Sequence, residues 1–272
     1  MRLELNNTSS IKASYNRNNQ FIHLASASGS TLPTDIWVPS TKTVKPEKGS
    51  QYALGYFRNF KDNVFESSIE VYYKDMNNLI GFADGAVPDF ASSAEDDFIF
   101  GIGYAYGIEL FIRKQKGKFT GWAGYTLAWT TKQFNETNDG ESFPAKYDRR
   151  HDIGVVGMYR LNEKWSFSTT FVYATGNAYW LKQRRYFVEA TLVPKYGERN
   201  GFRMPSYHRI DIGATYHKKK SDKYESSWNF GVYNVYNRKN PYFMYLSNEG
   251  DLFKGTLSVK AIKFQYFPFC HL

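Results

Sequence analysis

Residues 65–73 read Phe65-Glu66-Ser67-Ser68-Ile69-Glu70-Val71-Tyr72-Tyr73. One alternate set is Phe65, Ser67, Ile69, Val71 and Tyr73. The other is Glu66, Ser68, Glu70 and Tyr72. Successive side chains of an extended strand point to opposite faces, so this stretch reads as a strand with one apolar and one polar face. The period returns at Ile108, Leu110 and Ile112 against Glu109, Phe111 and Arg113. It returns again at Trp165, Phe167, Thr169, Phe171 and Tyr173 against Ser166, Ser168, Thr170 and Val172. Ile210, Ile212, Ala214 and Tyr216 stand against Arg209, Asp211, Gly213 and Thr215. Helical periodicity is scarce.

Composition agrees. Of 272 residues, 22 are Phe, 22 Tyr and 6 Trp. That aromatic load suits a pleated surface and is too heavy for disorder. A single cysteine, Cys270, excludes an intrachain disulfide and a cysteine-built metal site. The formal charge of +9 raises nucleic acid as a partner. However, the basic residues are dispersed, with Lys218-Lys219-Lys220 and Arg184-Arg185 the largest clusters, so no nucleic-acid partner is expected. No run is long and apolar enough for a transmembrane helix. A transmembrane strand needs only about ten alternating residues.

The connections decide between a soluble sandwich and a membrane sheet. Strands are expected near 2–6, 9–16, 50–60, 64–79, 98–115, 118–133, 150–161, 164–176, 206–219, 225–238 and 254–267. Short turns at Asn6-Asn7-Thr8, Phe60 to Asn63, Gln115 to Lys118, Leu161 to Lys164 and Lys218 to Ser226 take every second connection. The others, about 16–49, 75–98, 134–150, 176–205 and 237–254, are long. This alternation predicts an all-β, antiparallel transmembrane β-barrel meander with short periplasmic turns and long extracellular loops. Eleven strands is an odd count, so the pattern is expected to be one strand short, with Pro268 in a turn after the last strand. A soluble β-rich binding or adhesion module is the alternative, and would need a second sheet over the apolar face. A free-standing small outer-membrane pore is another, and would need a closing strand.

Six stretches resemble the barrel of TonB-dependent outer-membrane receptors of Gram-negative bacteria. They are Gln20 to Leu24, Leu32 to Pro39, Glu70 to Asn78, Tyr147-Asp148-Arg149-Arg150-His151-Asp152, Tyr207-His208-Arg209-Ile210-Asp211 and Tyr233-Asn234-Val235-Tyr236-Asn237-Arg238-Lys239-Asn240-Pro241. The resemblance implies that residues 1–272 form the C-terminal part of a 22-strand barrel, with no plug domain among them. It further implies a place in the cell outer membrane and TonB-dependent uptake of a bulky nutrient (an iron chelate, cobalamin or an oligosaccharide). The implied partners are outer-membrane lipid, the receptor's own plug domain, the TonB complex and a nutrient ligand. The resemblance implies no cofactor.

Within such a barrel, Glu66, Glu70, Glu109, Arg113, Arg209 and Asp211 are expected to face the lumen, because charge on the lipid face is costly. Phe65, Tyr73, Trp129, Trp165, Tyr173, Trp228 and Tyr236 are expected in the interfacial girdles. Ligand contact is expected on the 176–205 loop, which carries Tyr179, Trp180, Lys182, Arg184, Arg185 and Tyr186. Aromatic rings stack on sugar or chelate rings, and guanidinium groups pair with carboxylate or phosphate. No enzyme is expected. His208 and Asp211 are three positions apart and so point to opposite faces. Neither Ser206 nor the His151-Asp152 pair completes a triad. Glu95-Asp96-Asp97 alone cannot supply the six to eight oxygens of a calcium site, and no metal site is expected.

Overall fold

A computed structural model describes residues 1–25, 36–82, 95, 97–188, 191–221, 224–247, 256–261 and 269–271. Eleven strands follow one another in chain order along one antiparallel sheet, and the two-residue strand Phe143–Pro144 pairs with residues 131–132 beside that path. The eleven are β1 (Arg2–Asn6), β2 (Ser9–Gln20), β3 (Glu47–Phe60), β4 (Phe65–Phe82), β5 (Phe98–Lys114), β6 (Phe119–Phe134), β7 (His151–Arg160), β8 (Trp165–Ala174), β9 (Tyr207–Ser221), β10 (Tyr224–Val232) and β11 (Phe269–His271). Short and long connections alternate throughout, so all long ones leave the same end of the meander.

The ladders lock the two faces across the sheet. Glu66 pairs with Arg113 and Glu70 with Glu109. Glu109 leads through Thr126 to Asp152, Ala174 and Tyr207. The opposite face holds Ile69, Leu110, Tyr125 and Ile153 in one row. Apolar side chains of that face stay open, with Ile69 at 47% and Phe230 at 53% of full exposure. Along the middle of the strands no second sheet among the described residues covers it.

Aromatics border the apolar face at two levels. Tyr15, Tyr52, Tyr73, Tyr106 and Trp129 occupy one continuous row across five strands. Its ring centroids lie 5.0 Å apart at Tyr15–Tyr52 and 5.3 Å at Tyr106–Trp129. Nearer the short turns lie Phe60 stacked on Phe65 at 5.1 Å and Trp165 against Tyr216 at 5.0 Å. Phe65 and Tyr73 are eight residues apart, roughly 27 Å of strand. A tilted strand spans a bilayer with about 9–11 residues, whereas β4 has 18, β5 17 and β6 16. The surplus rises beyond the upper aromatic row.

There the sheet acquires a protein cover. The hairpin of Ile22–Ala25 with Ile36–Pro39 precedes Val44, and Val38 and Val44 cluster with Ile80, Phe82 and Phe98. Leu79, Phe134 and Phe143 form a second cluster. Strand extensions in water bury apolar side chains against protein.

Two expected strands end differently. The stretch 225–238 leaves the sheet after Val232, because Asn234 and Asn237 take left-handed backbone (φ 51° each), which a strand does not accommodate. Of the stretch 254–267, residues 256–261 are described. Thr256–Ala261 pairs with Pro241–Ser247, and Phe269–His271 pairs with Ser227–Asn229 of β10. Phe269–His271 takes the free ladder edge of β10, and Pro268, expected in a turn, lies outside the described residues. Residues 32–35 of the Leu32 to Pro39 stretch, and Asp96 of the acidic run, lie outside the described residues.

Glycine is required where strands approach closely. A Cβ on Gly121 (φ +154°) would sit 2.1 Å from the Val156 carbonyl oxygen, whereas one on Gly124 meets nothing nearer than 3.7 Å. Gly121→Ala is expected to lower stability by about 1–3 kcal/mol and Gly124→Ala by much less, read as urea midpoints of the folded chain.

Candidate functional site at the long-loop end

Two connections, 135–150 and 175–206, are fastened to each other above the polar face. Asp148 is the fastener. It is 2% exposed. Its Oδ1 accepts the Thr130 amide at 2.7 Å, and its Oδ2 accepts the Arg150 guanidinium at 3.4 Å. The Arg203 guanidinium, from the far end of the second loop, donates to both the Asp148 carboxylate and its carbonyl. A buried carboxylate needs such donors to offset desolvation. Arg149 Nε donates to Asn177 Oδ1 at 2.9 Å and Asn200 Nδ2 to the Pro144 carbonyl at 2.9 Å. The Arg199 guanidinium lies 4.2 Å from the Trp180 ring centre and 5.9 Å from that of Phe143.

Trp180, expected to meet ligand, donates its indole N–H to the Gly197 carbonyl at 3.0 Å. Tyr179 lies in the two-residue pairing of Ala178–Tyr179 with Phe202–Arg203. Lys182, Arg184, Arg185 and Tyr186 belong to the strand Lys182–Val188, which forms a hairpin with Thr191–Tyr196. Their side chains lie outside the described residues. The structure therefore brings Tyr179 and Trp180 to the fastened base of the loop and the other four to the hairpin beyond it.

A second network closes the end of β10. Arg209 Nε donates to Asp211 Oδ2 at 2.8 Å, and its Nη1 donates to the hydroxyls of Tyr207 and Tyr233. Asp211 Oδ1 accepts the Asn234 amide at 2.8 Å. Asn234 then brackets Arg238, donating to its carbonyl at 2.9 Å and accepting its amide at 3.1 Å. The Asn240 side chain accepts from the His208 amide at 3.1 Å and donates to its carbonyl at 3.0 Å, replacing a strand neighbour. Tyr236 OH lies 2.7 Å from His208 Nδ1. Burial raises the Tyr236 phenol above its ordinary range, with Arg238 opposing and Asp211 adding to the rise.

The six charged residues expected inside share one face by register. Glu66 lies 3.8 Å from Arg113. Glu66, Glu70 and Glu109 line one concavity near the short turns, while Arg209 and Asp211 sit in the network above. His208 and Asp211 have separate partners and opposite faces. Among the described residues no group of three or more His, Cys, Asp or Glu is placed to hold a metal. Asp148, Asn234 and Asn240 carry roles that the pattern left unassigned. The signal for Asn234 and Asn237 was two asparagines three apart after a strand, a composition suited to left-handed turns.

The fold and this site define a class: an antiparallel meander that forms a length of membrane-barrel wall, with its long loops fastened together at one end. The family model described as "TonB dependent receptor-like, beta-barrel" matches residues 2–235, and the chain belongs to that family. The family is one of receptors and transporters of the Gram-negative outer membrane. The ferric-catecholate import receptor Fiu from E. coli K12 is similar in structure (TM-score 0.57, 16% identity), with 88% of this chain and 30% of that one covered. The ferripyoverdine receptor of Pseudomonas aeruginosa gives 0.59, 16%, 88% and 29%. The FrpB iron transporter of Neisseria meningitidis gives 0.57, 14%, 98% and 36%. The chain thus spans about a third of the length of these structures. No curated protein sequence matches it.

Replacing Asp148 with Ala would leave the Thr130 amide without its acceptor and reduce Arg203 and Arg150 to the carbonyls of residues 148 and 128. A loss of about 2–3 kcal/mol is expected. Hydrogen exchange should quicken first at residues 199–206, ahead of β6 and β7.

Proposed function

We propose that residues 1–272 form the C-terminal part of the barrel of an outer-membrane receptor that takes up a bulky nutrient by the TonB route. The observation that carries this reading is the eleven-strand meander with one open apolar face bordered by aromatic rows and all long connections at one end. On this reading the apolar face meets lipid. The face with Glu66, Glu70, Glu109, Arg113, Arg209 and Asp211 lines the lumen and meets the plug domain, and the long loops face outwards. An iron chelate is the favoured substrate class, because Fiu and the ferripyoverdine receptor are named for such ligands. Chelates of this kind carry aromatic and anionic groups, which suit the aromatic and basic residues of the 175–206 loop.

Uptake tests the reading. Cells carrying the gene should take up a labelled ferric chelate. Uptake should stop on deletion of the gene and on collapse of the proton-motive force. Uptake that survives both treatments would refute the transport assignment. The face assignment has its own test: Ile69→Arg should cost about 2–4 kcal/mol of stability in lipid vesicles, as for a cation at the bilayer midplane, whereas Ser68→Arg on the other face should cost far less.

A further inference from the structure

We propose that Lys132 holds an oxyanion of the incoming ligand, a carboxylate or catecholate oxygen, at the mouth of the lumen. This rests on the uptake reading above and names one contact of it. Lys132 shares the parity of Thr126, the ladder partner of Glu109, and so belongs to the charged face. It lies three residues beyond Trp129 of the upper aromatic row, on the long-loop side and outside the bilayer span. One ladder row runs Gly49, Met76, Gly103, Lys132 and Phe143. That row gives the lysine an apolar collar. Phe143 stands opposite it on one side. On the other, Gly103 has no side chain, and its place is taken by the ends of Leu79 and Met76, which a Cβ there would meet at 2.8 and 3.1 Å. Phe134, two residues on, shares the face. Leu79, Phe134 and Phe143 form one buried cluster, with Met76 packed against it.

An ammonium in such a collar has lost part of its water and needs acceptors in exchange. Among the described residues it makes no hydrogen bond and no ion pair. Burial lowers its pKa below the ordinary lysine range, Glu47 opposes the fall, and Arg199 adds to it. Glu47 is itself shared, because its Oε1 lies 3.6 Å from Nδ1 of the fully buried His23, an atom with no hydrogen-bond partner. The like charge acts from across Phe143, over whose ring the Arg199 guanidinium lies at 5.9 Å. Lys132 is half-buried, so one side of it stays open to an arriving group. An ionisable group perturbed in this way at a cleft marks a binding site. Phe143 and Arg199 belong to two connections of the long-loop end. That position favours an anion arriving from outside over a side chain from beneath.

The protein made from the whole gene, purified in detergent, is titrated with a ferric tricatecholate and with ferric citrate, and quenching of tryptophan fluorescence gives Kd. Lys132→Met keeps the apolar stem and removes the charge. Its Kd for the chelate that binds should rise about tenfold, as for the loss of one charge-assisted hydrogen bond. Its melting temperature without ligand should stay level or rise, because a partly desolvated cation is gone. Lys132→Arg keeps the charge and should recover most of the affinity. Affinity should also fall as pH rises through the lowered range of Lys132, where the ammonium loses its proton, and that fall should be absent in Lys132→Arg. An unchanged Kd in Lys132→Met would overturn the proposal and leave the uptake reading standing. Loss of affinity together with a lower melting temperature would assign the lysine to a carboxylate of the protein itself, the plug domain's included, and would overturn it too. No quenching of the unaltered protein by either chelate would overturn the chelate reading, and this proposal with it.

Discussion

Parity holds this structure together. Each strand alternates between a face open to apolar surroundings and a face that carries charge, and each ladder ties that alternation to the next strand. A slip of one residue in a single ladder would turn every side chain of that strand over. Glu66, Glu70, Glu109 and Arg209 would then stand among Ile69, Leu110 and Ile210. The short turns carry much of this load. Lys61, Asp62 and Asn63 all adopt left-handed backbone, with φ between 51° and 59°. The reversal they make brings Phe65 directly opposite Phe60. The one bulge in β4, at Asn78 (φ 59°), falls between Asn77 and Leu79. It lies beyond the Tyr73 row, where faces no longer need to be sorted. Past it, Leu79 and Ile80 are both buried, on opposite sides of the strand.

This explains an apparent inversion of burial. Most large apolar side chains on the middle of the sheet are open, while the buried clusters gather at the long-loop end. A sheet in water must cover both faces with protein. A sheet in a bilayer has its second layer supplied by lipid, so its apolar side chains need only match hydrocarbon in character. The middle rows accordingly show little interlocking packing, and stability there rests on ladder hydrogen bonds, which must be satisfied within the sheet. Above the aromatic row, Val38, Val44, Ile80, Phe82 and Phe98 pack as a soluble core does.

The strands and their faces were legible because period-two alternation is a local signal, repeated from strand to strand. The lengths of β2 and β4 were less so: β2 runs to Gln20, where only 9–16 was read. Sequence pattern weakens beyond the bilayer, since a strand in water between protein layers need not alternate. The site was the least legible part. Asp148 sits in a stretch whose charges look alike, and nothing in Tyr147 to Asp152 says which carboxylate is buried. That choice depends on Arg203, 55 residues away. Asn240 bonds across 32 residues to His208. Contacts of that range leave no trace in spacing.

Those long-range contacts have a consequence for recognition. Asp148, Asn200 and Arg199 tie the 175–206 connection to the 135–150 connection at its root, so Trp180 is occupied in holding the base together. The hairpin 182–196 starts immediately beyond that base. The shape of the mouth in this arrangement belongs to Asp148 and its guanidinium partners. An aromatic residue next to a long loop is thus a weak guide to ligand contact, because the loop's own root makes an equal demand on aromatic and cationic side chains.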